Sequence, residues 1–550
     1  MRRFEFCEAP GLREGIGGDQ LAESATTDSN GKESEQTSTT PTIDEIHRTK
    51  SGAVTGIPMS RRATLAAVGV SIIGGVVGFT GIVSADDFAG GAGTDGDPYV
   101  IETWDHLNDV RTEGDAVFVL NTDLDEETAG YNEHASEDAH DDRGWDPIDD
   151  FGGTFDGNGN TISDLFIERT ETNGDSNVGL FGSAEEEAEL KNLGVTDVDI
   201  DATTDVGALV GRSSAEIVNC YATGTIEIDT GSARQFSSER IGGLVGQSDG
   251  TITDSHTSMS VNCGHQVGGL VGRNTGTVTR SYADGISVSG GGSFVGGLVG
   301  KNTGVIDYSY SDVHSTGDRL NTSDGATGFG SLVGANTDAG LIEKSFALGP
   351  VFRNTNTEDV YVGALVGENT EGAEIRQAYS ASQADDFPFY GGGVAGLNSA
   401  TVVNAYYNSR SNDQGIGEED GGSSTVYGVD QPDMQGASAE YELSELDFTD
   451  TWATIIAPDD DFPILQIFDT RPDPIGPFDK PPNDLNDDGL FEDINGDGES
   501  TVVDVQAMHR HLGDEVFTAH PEKFNFSNGD PDDVTQADVE ALYALVTGDE

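Results

Sequence analysis

The sequence predicts a mainly β protein, a right-handed parallel β-helix or solenoid of about eight coils with end caps, followed by a small helical module at the C-terminus. Three observations carry the solenoid. A glycine phrase keeps returning: VGLFG at Val178–Gly182, VGALVG at Val206–Gly211, IGGLVG at Ile241–Gly246, then near copies closing at Gly272, Gly300, Gly334, Gly367 and Gly396. The closing glycines are 29, 35, 26, 28, 34, 33 and 29 residues apart, a period that marks stacked repeats. Between the phrases, segments align on an aromatic column, Tyr221, His256, Tyr282, Tyr310, Phe346, Tyr379 and Tyr406. Four residues earlier stands an aliphatic (Ile217, Ile252, Val278, Ile306, Ile342, Ile375, Val402), and just before the aromatic a small residue (Cys220, Ser255, Ser281, Ser309, Ser345, Ala378, Ala405). Columns of one size arise when equivalent positions of successive coils stack. Finally, the runs are short, rich in Val, Ile, Thr and Tyr, and broken by glycine, which disfavours helix.

Taken in order, residues 1–58 are polar and read as a disordered extension upstream of the true start at Met59. Met59-Ser60-Arg61-Arg62, the apolar run Ala63–Val83 and Val-Ser-Ala at Val83–Ala85 make residues 59–85 an export signal that resembles the twin-arginine type. It reads as cleaved; uncleaved, Ala63–Val83 would serve as an N-terminal membrane anchor. Residues 86–150 form an N-terminal cap, with strands flanking a helix at Asp105–Val110 and a solvated acidic loop at 130–144. The solenoid spans 151–410 and a closing cap 411–470, with the insertions before Ile241 and Val362 leaving the coil as loops. A Pro-rich linker follows at 471–483, then the C-terminal module at 484–550.

Charge narrows the environment and the partners. Against 99 Asp and Glu the chain has 27 Lys and Arg, a net charge of −72 spread along its length. Such repulsion collapses at molar salt, where the Debye length is about 3 Å, so the composition reads as halophilic. Phosphate-neutralising patches are lacking, which excludes nucleic acid as a partner. The three cysteines, Cys7, Cys220 and Cys263, make no disulfide framework or zinc spacing, and Cys220 fills the small-residue column.

The only motif with a defined chemistry lies near the end. Asp493, Asn495, Asp497, Glu499, Thr501 and Asp504 stand at positions 1, 3, 5, 7, 9 and 12 of a loop with Gly498 at position 6, and a helix Val502–Leu512 follows. This is the spacing of an EF-hand loop, in which Glu499 offers its main-chain carbonyl to Ca2+. Asp484, Asn486 and Asp488 begin a shorter copy nine residues upstream, without an acid at its twelfth position. Asn525, Asp530, Asp532 and Asp538 outline a third, irregular loop, fourteen residues from end to end with Pro531 where a glycine belongs, before a helix Thr535–Val546. Val505, Met508 and Leu512 face Val539, Leu542, Tyr543 and Val546 as the two apolar stripes. So small a module has little core, and calcium would contribute much of its folding free energy. Asp at position 12 and the loop-helix order resemble the dockerin module, which implies a cohesin-like or other surface protein as partner.

The glycine phrases resemble the GLUG repeat of bacterial and archaeal surface and secreted proteins, over roughly Gly153 to Gln466. That resemblance implies a β-solenoid and a surface role and no chemistry. The zinc protease domain found beside some relatives would need His-Glu-x-x-His, which this chain lacks. The expected function is therefore a secreted or cell-surface, non-enzymatic, monomeric solenoid for adhesion to a polysaccharide or matrix ligand, attached through its calcium module. The alternatives are a polysaccharide hydrolase or lyase built on the β-helix, and a structural envelope component.

Overall fold

The computed structural model describes residues 88–169, 176–227, 240–262, 264–285, 287–290, 292–317, 327–353, 360–382, 391–456, 461–486, 488–527, 529 and 533–548. The N-terminal extension, the signal segment, Cys7, Cys263, most of the two insertions, Asp530 and Asp532 lie outside the described residues.

The fold is the expected parallel β-solenoid. One coil shows the plan: Arg240–Gly242, Val245–Ser248, Thr251–Thr253 and His256–Asn262, with the next coil starting at Gln266–Gly268. Equivalent strands stack in parallel into a six-stranded sheet, a nine-stranded sheet and a 23-stranded sheet that wraps the remaining corner. The aliphatic column runs through the interior in strict register, Ile217 on Ile252, then Val278, Ile306, Ile342, Ile375 and Val402. Each is at most 1 % exposed. The glycine phrase is explained by crowding at its turn, since a Cβ on Gly268 would stand 2.1 Å from the Val271 carbonyl oxygen. Opposite it, a column of non-glycine residues turns the chain in the left-handed region: Asn219, Asp254, Arg280, Tyr308, Lys344, Gln377 and Asn404, with φ between 44 and 54°.

Two buried polar ladders complete the coil. Asn274, Asn302, Asn336, Asn369 and Asn398 are fully buried, and each Nδ2 donates to the next Oδ1 at 2.8, 2.8, 3.0 and 2.9 Å. The small-residue column is equally specific. The Ser255, Ser281, Ser309 and Ser345 hydroxyls each accept from the N–H of the preceding coil at 3.1 to 3.3 Å. Each donates to the carbonyl two residues before it at 2.7 to 2.8 Å. Cys220, also buried, opens this column, and burial pushes its thiol up to about 12.

The N-terminal cap contributes rungs of its own. Tyr99–Ile101 pairs with Val117–Leu120 and that strand with Thr154–Asp156, all parallel, while helix Trp104–Asp109 buries Trp104 and Leu107 in the main core. The acidic loop holds two short helical turns, with His134 on Asp105 at 2.9 Å and His140 on the Gly144 carbonyl at 2.9 Å.

The closing segment differs from a simple end cap. Ile416–Glu419 and Ser423–Val429 form a ninth coil, and Ser424 takes the place of the aliphatic in register with Val402. Residues 430–456 and 461–470 then fold back along the flank. The aromatic column points there, stacked from Tyr221 to Tyr379 with ring centroids 4.8 to 5.2 Å apart. Phe468 meets Tyr282 and Tyr310 edge-on, and Trp452 covers Phe346 and Tyr379. Apolar residues closing an end and apolar residues closing a side have the same sequence pattern, which is why the pattern alone did not separate them. Among the described residues no helix is long and apolar enough to cross a membrane.

Candidate calcium site

The C-terminal module is built on two capped helices. Helix Val502–His511 starts at Thr501, whose hydroxyl accepts from Val503 N at 3.2 Å while Asp504 accepts from Thr501 N at 2.8 Å. Helix Gln536–Thr547 repeats the device with Thr535 and Asp538 at 3.2 and 2.8 Å. Val505, Met508, Val539 and Leu542 pack between them as expected, but Tyr543 is 48 % exposed and faces away. The core is larger than two helical stripes: Ile475, Phe491, Ile494, Val516, Phe517 and Phe524 join it. Ile475 lies in the stretch expected as a linker, and it is fully buried in the module, with Phe478 packed beside it. The stretch 471–483 is therefore part of the module rather than a spacer, and Arg471 ties it down by donating to Asn483 Oδ1 at 2.6 Å.

The loop 493–504 has the expected turn geometry. Asp493 accepts from the N–H groups of Asp497 and Gly498 at 3.1 and 2.8 Å, and from Asn483 Nδ2 at 2.7 Å. Asn495 Oδ1 accepts from Asp497 N at 2.9 Å, and Asp497 from Glu499 N at 3.0 Å. Asp504 reaches back from the helix to accept from Asn495 N at 3.2 Å. Gly496 and Gly498 supply the φ values of 70 and 88° that the turn needs.

The electrostatics test whether these residues fit a cation. Asp493 and Asp504 are fully buried. Burial raises the pKa of both carboxyls, and repulsion from Asp497, and of Asp493 on Asp504, adds to the rise. A hard divalent cation would oppose both effects, because it solvates the carboxylates and cancels their repulsion. Among the described residues no group of three or more His, Cys, Asp or Glu stands as a preformed cage. The loop's ligand set is mixed, with Asn495, Thr501 and the Glu499 carbonyl beside the three aspartates, and it suits calcium in kind.

The two weaker loops fare differently. At the upstream one, Asp484 accepts from Asp488 N at 3.3 Å and from Gly489 N at 2.7 Å, Asn486 from Asp488 N at 3.0 Å, and Asp488 from Leu490 N at 2.9 Å. These bonds repeat, position for position, those of 493–499. In the third, Asn525 Oδ1 accepts from Gly529 N at 3.0 Å and Asp538 from Ser527 N at 2.9 Å. Asp538 therefore takes the place of Asp504 despite the longer spacing. Burial works against its carboxylate, yet the N–H groups of Thr535 and Ser527 hold its pKa below the ordinary value. Sequence reading passed over Glu492 and Asn483, which touch these loops; their only signal was proximity to the aspartates.

Coil after coil, the fold and its glycine turns define a β-solenoid with GLUG motifs: residues 202–227 and 264–289 match the family described as "The GLUG motif". Among individual proteins, the chain is similar to halomucin of Haloquadratum walsbyi, 31 % identical over 179 residues that cover 31 % of this chain and 2 % of halomucin. It is also similar to a protein of Evansella cellulosilytica named "Putative Gly-rich membrane protein", 38 % identical over 141 residues covering 24 % of this chain and 15 % of that one. The chain thus spans a small fraction of both relatives' length. A solved structure described as a "putative immunoglobulin A1 protease" from Bacteroides ovatus aligns over 70 % of this chain and 96 % of its own, at 18 % identity and a TM-score of 0.34.

Proposed function

We propose that this chain is a secreted or surface-associated, non-enzymatic β-solenoid whose C-terminal module binds Ca2+ and attaches it to a partner at the cell surface. Support for the surface role comes from the GLUG motifs and from the similarity to halomucin, a protein of a halophile, which suits a net charge of −72. The calcium reading is carried by one observation, the turn of 493–504, in which Asp493 accepts from the Asp497 and Gly498 N–H groups and Asp504 from the Asn495 N–H while both carboxylates are fully buried. Calcium binding would tie the loop to helix Val502–His511 through Asp504 and so order the surface the module presents.

An enzymatic reading finds less support in the coil. Among the described residues of the solenoid, the buried carboxylates are Asp205, held by Arg240, and Glu368, near Lys301. The charges that act on them are cationic, Arg240, Arg212 and Arg273 on Asp205 and Lys301 on Glu368, whereas glycoside hydrolysis needs a second carboxylate across a groove.

Calorimetric titration of the whole chain with CaCl2 at molar KCl tests the calcium reading, with Asp497→Ala and Asp504→Ala as controls. The whole chain is used because Ile475 and Phe478 belong to the module core. Saturable binding reduced in both variants is expected; titration curves unchanged by either substitution would sink it. Washing cells of the source organism with a calcium chelator at constant salt tests attachment. The protein is expected in the wash, and its retention on the cells would contradict calcium-dependent docking.

A further inference from the structure

The upstream loop lacks an acid at its twelfth position, but the structure places another carboxylate against it. Counting from Asp484 as position 1, the ninth residue is Glu492, equivalent to Thr501 in the following loop. Glu492 is 4 % exposed, and its Oε2 has no hydrogen-bond partner. Its carboxylate lies within electrostatic reach of Asp484, Asp488 and the Leu485 N–H, inside the loop. A buried carboxylate with an idle oxygen, held against two other acids, is costly unless a cation completes it.

We propose that Asp484, Asn486, Asp488, the Leu490 carbonyl and Glu492 form a second Ca2+ site, in which the ninth-position glutamate supplies the charge that an EF-hand loop ordinarily takes from position 12. Three carboxylates, an amide oxygen and a main-chain carbonyl make an all-oxygen set for a hard divalent cation. The two loops are joined back to back. Asn483 and Asp493 exchange main-chain bonds at 3.0 and 3.2 Å, and Asn483 Nδ2 donates to the Asp493 carboxylate at 2.7 Å. Ordering one loop therefore steadies the first ligand of the other, and the two sites fill cooperatively. The proposal rests on the calcium reading of the 493–504 loop, and its test keeps the two apart.

The whole chain, stripped with chelator and returned to molar KCl, is titrated calorimetrically with CaCl2 alongside Glu492→Gln, Asp484→Asn, their double variant and Asp497→Asn. Glu492→Gln and Asp484→Asn are each expected to lose the same single equivalent of calcium, the double variant no more than either, while Asp497→Asn loses a different one. Thermal melts supply a second reading. In chelator Glu492→Gln is expected to melt no lower than the unsubstituted chain, since it removes an uncompensated buried charge. Its rise in Tm on adding calcium is expected to be smaller. An unchanged stoichiometry in Glu492→Gln, or loss of the equivalent that Asp497→Asn removes, would overturn the second site and leave the first standing. A lower Tm in chelator would assign Glu492 a purely structural role and overturn it too. No calcium uptake by the unsubstituted chain would remove both sites together.

Discussion

Replacing Asn302 by Ala would test how much the buried amide ladder contributes to holding the coils together. Asn302 donates to Asn336 Oδ1 at 2.8 Å and more weakly to the Gly304 and Leu341 carbonyls, and it accepts from Asn274 Nδ2 at 2.8 Å and from Gly304 N at 3.3 Å. Alanine strands the buried Asn336 Oδ1 acceptor, at about 1–3 kcal/mol, and takes the side-chain acceptor from the Gly304 N–H, while Asn274 Nδ2 keeps the Val305 carbonyl at 3.2 Å, so the loss should be about 2–4 kcal/mol. The column itself provides the controls. Ser213 and Ser248 occupy it in the first coils, so Asn302→Ser should cost about half as much. At the far end Asn398→Ala should cost about 1–2 kcal/mol, because Asn369 Nδ2 keeps the Thr401 carbonyl at 3.1 Å and Glu419 keeps the Ser424 hydroxyl at 3.0 Å. Urea unfolding at constant molar KCl, followed by circular dichroism, would rank the three. If Asn302→Ala shifts the midpoint no further than Asn302→Ser, water or neighbouring carbonyls satisfy the gap and the ladder reasoning fails.

Three further outcomes are expected. Burial raises Glu368 to about 7, above its unfolded value of about 4.3, so the folded state holds the extra proton between these limits. Its contribution is fully present below about pH 4.3 and is lost as pH rises through about 7; Glu368→Gln should raise stability at pH 8 and flatten the slope across pH 5–7, and parallel pH profiles for the two proteins would count against it. Tyr310 is stacked between Tyr282 and Phe346 and held edge-on by Phe468, so Tyr310→Ala should cost about 3–4 kcal/mol and speed proteolytic cutting within 430–470, while Tyr221→Ala, away from that cover, should leave the cutting rate unchanged. Ser281→Ala leaves the Ser255 N–H without its acceptor and should lower stability by about 1–2 kcal/mol in the same urea assay; an effect below about 0.3 kcal/mol would show that the hydroxyl column is dispensable.

What the sequence determined by itself is the repeated part. A coil has the same environment as its neighbours, so Ile217 to Val402 and Cys220 to Ser345 could be aligned from residue identity alone, and their register in the structure is the one that alignment implies. The candidate calcium loop was legible for a similar reason, because Asp493, Asn495, Asp497, Gly498 and Asp504 are local and their spacing is the turn. The amide ladder was also present in the sequence, as the Asn that follows each glycine phrase at 274, 302, 336, 369 and 398, though only stacking shows that it is dry and continuous.

Tertiary structure alone decided what depends on distant segments meeting. The aromatic column proved to face a flank, because residues 430–456 and 461–470 return to cover it instead of closing the end. The ninth coil had lost the glycine phrase and was visible only through its pairing with Ala395–Asn398 and Thr401–Asn408. Prolines at 471–483 resembled a spacer until Ile475 was found in the module core. Glu492, one acid among 99, acquires significance only from burial and from the loop it is pressed against, and neither is encoded at the position itself.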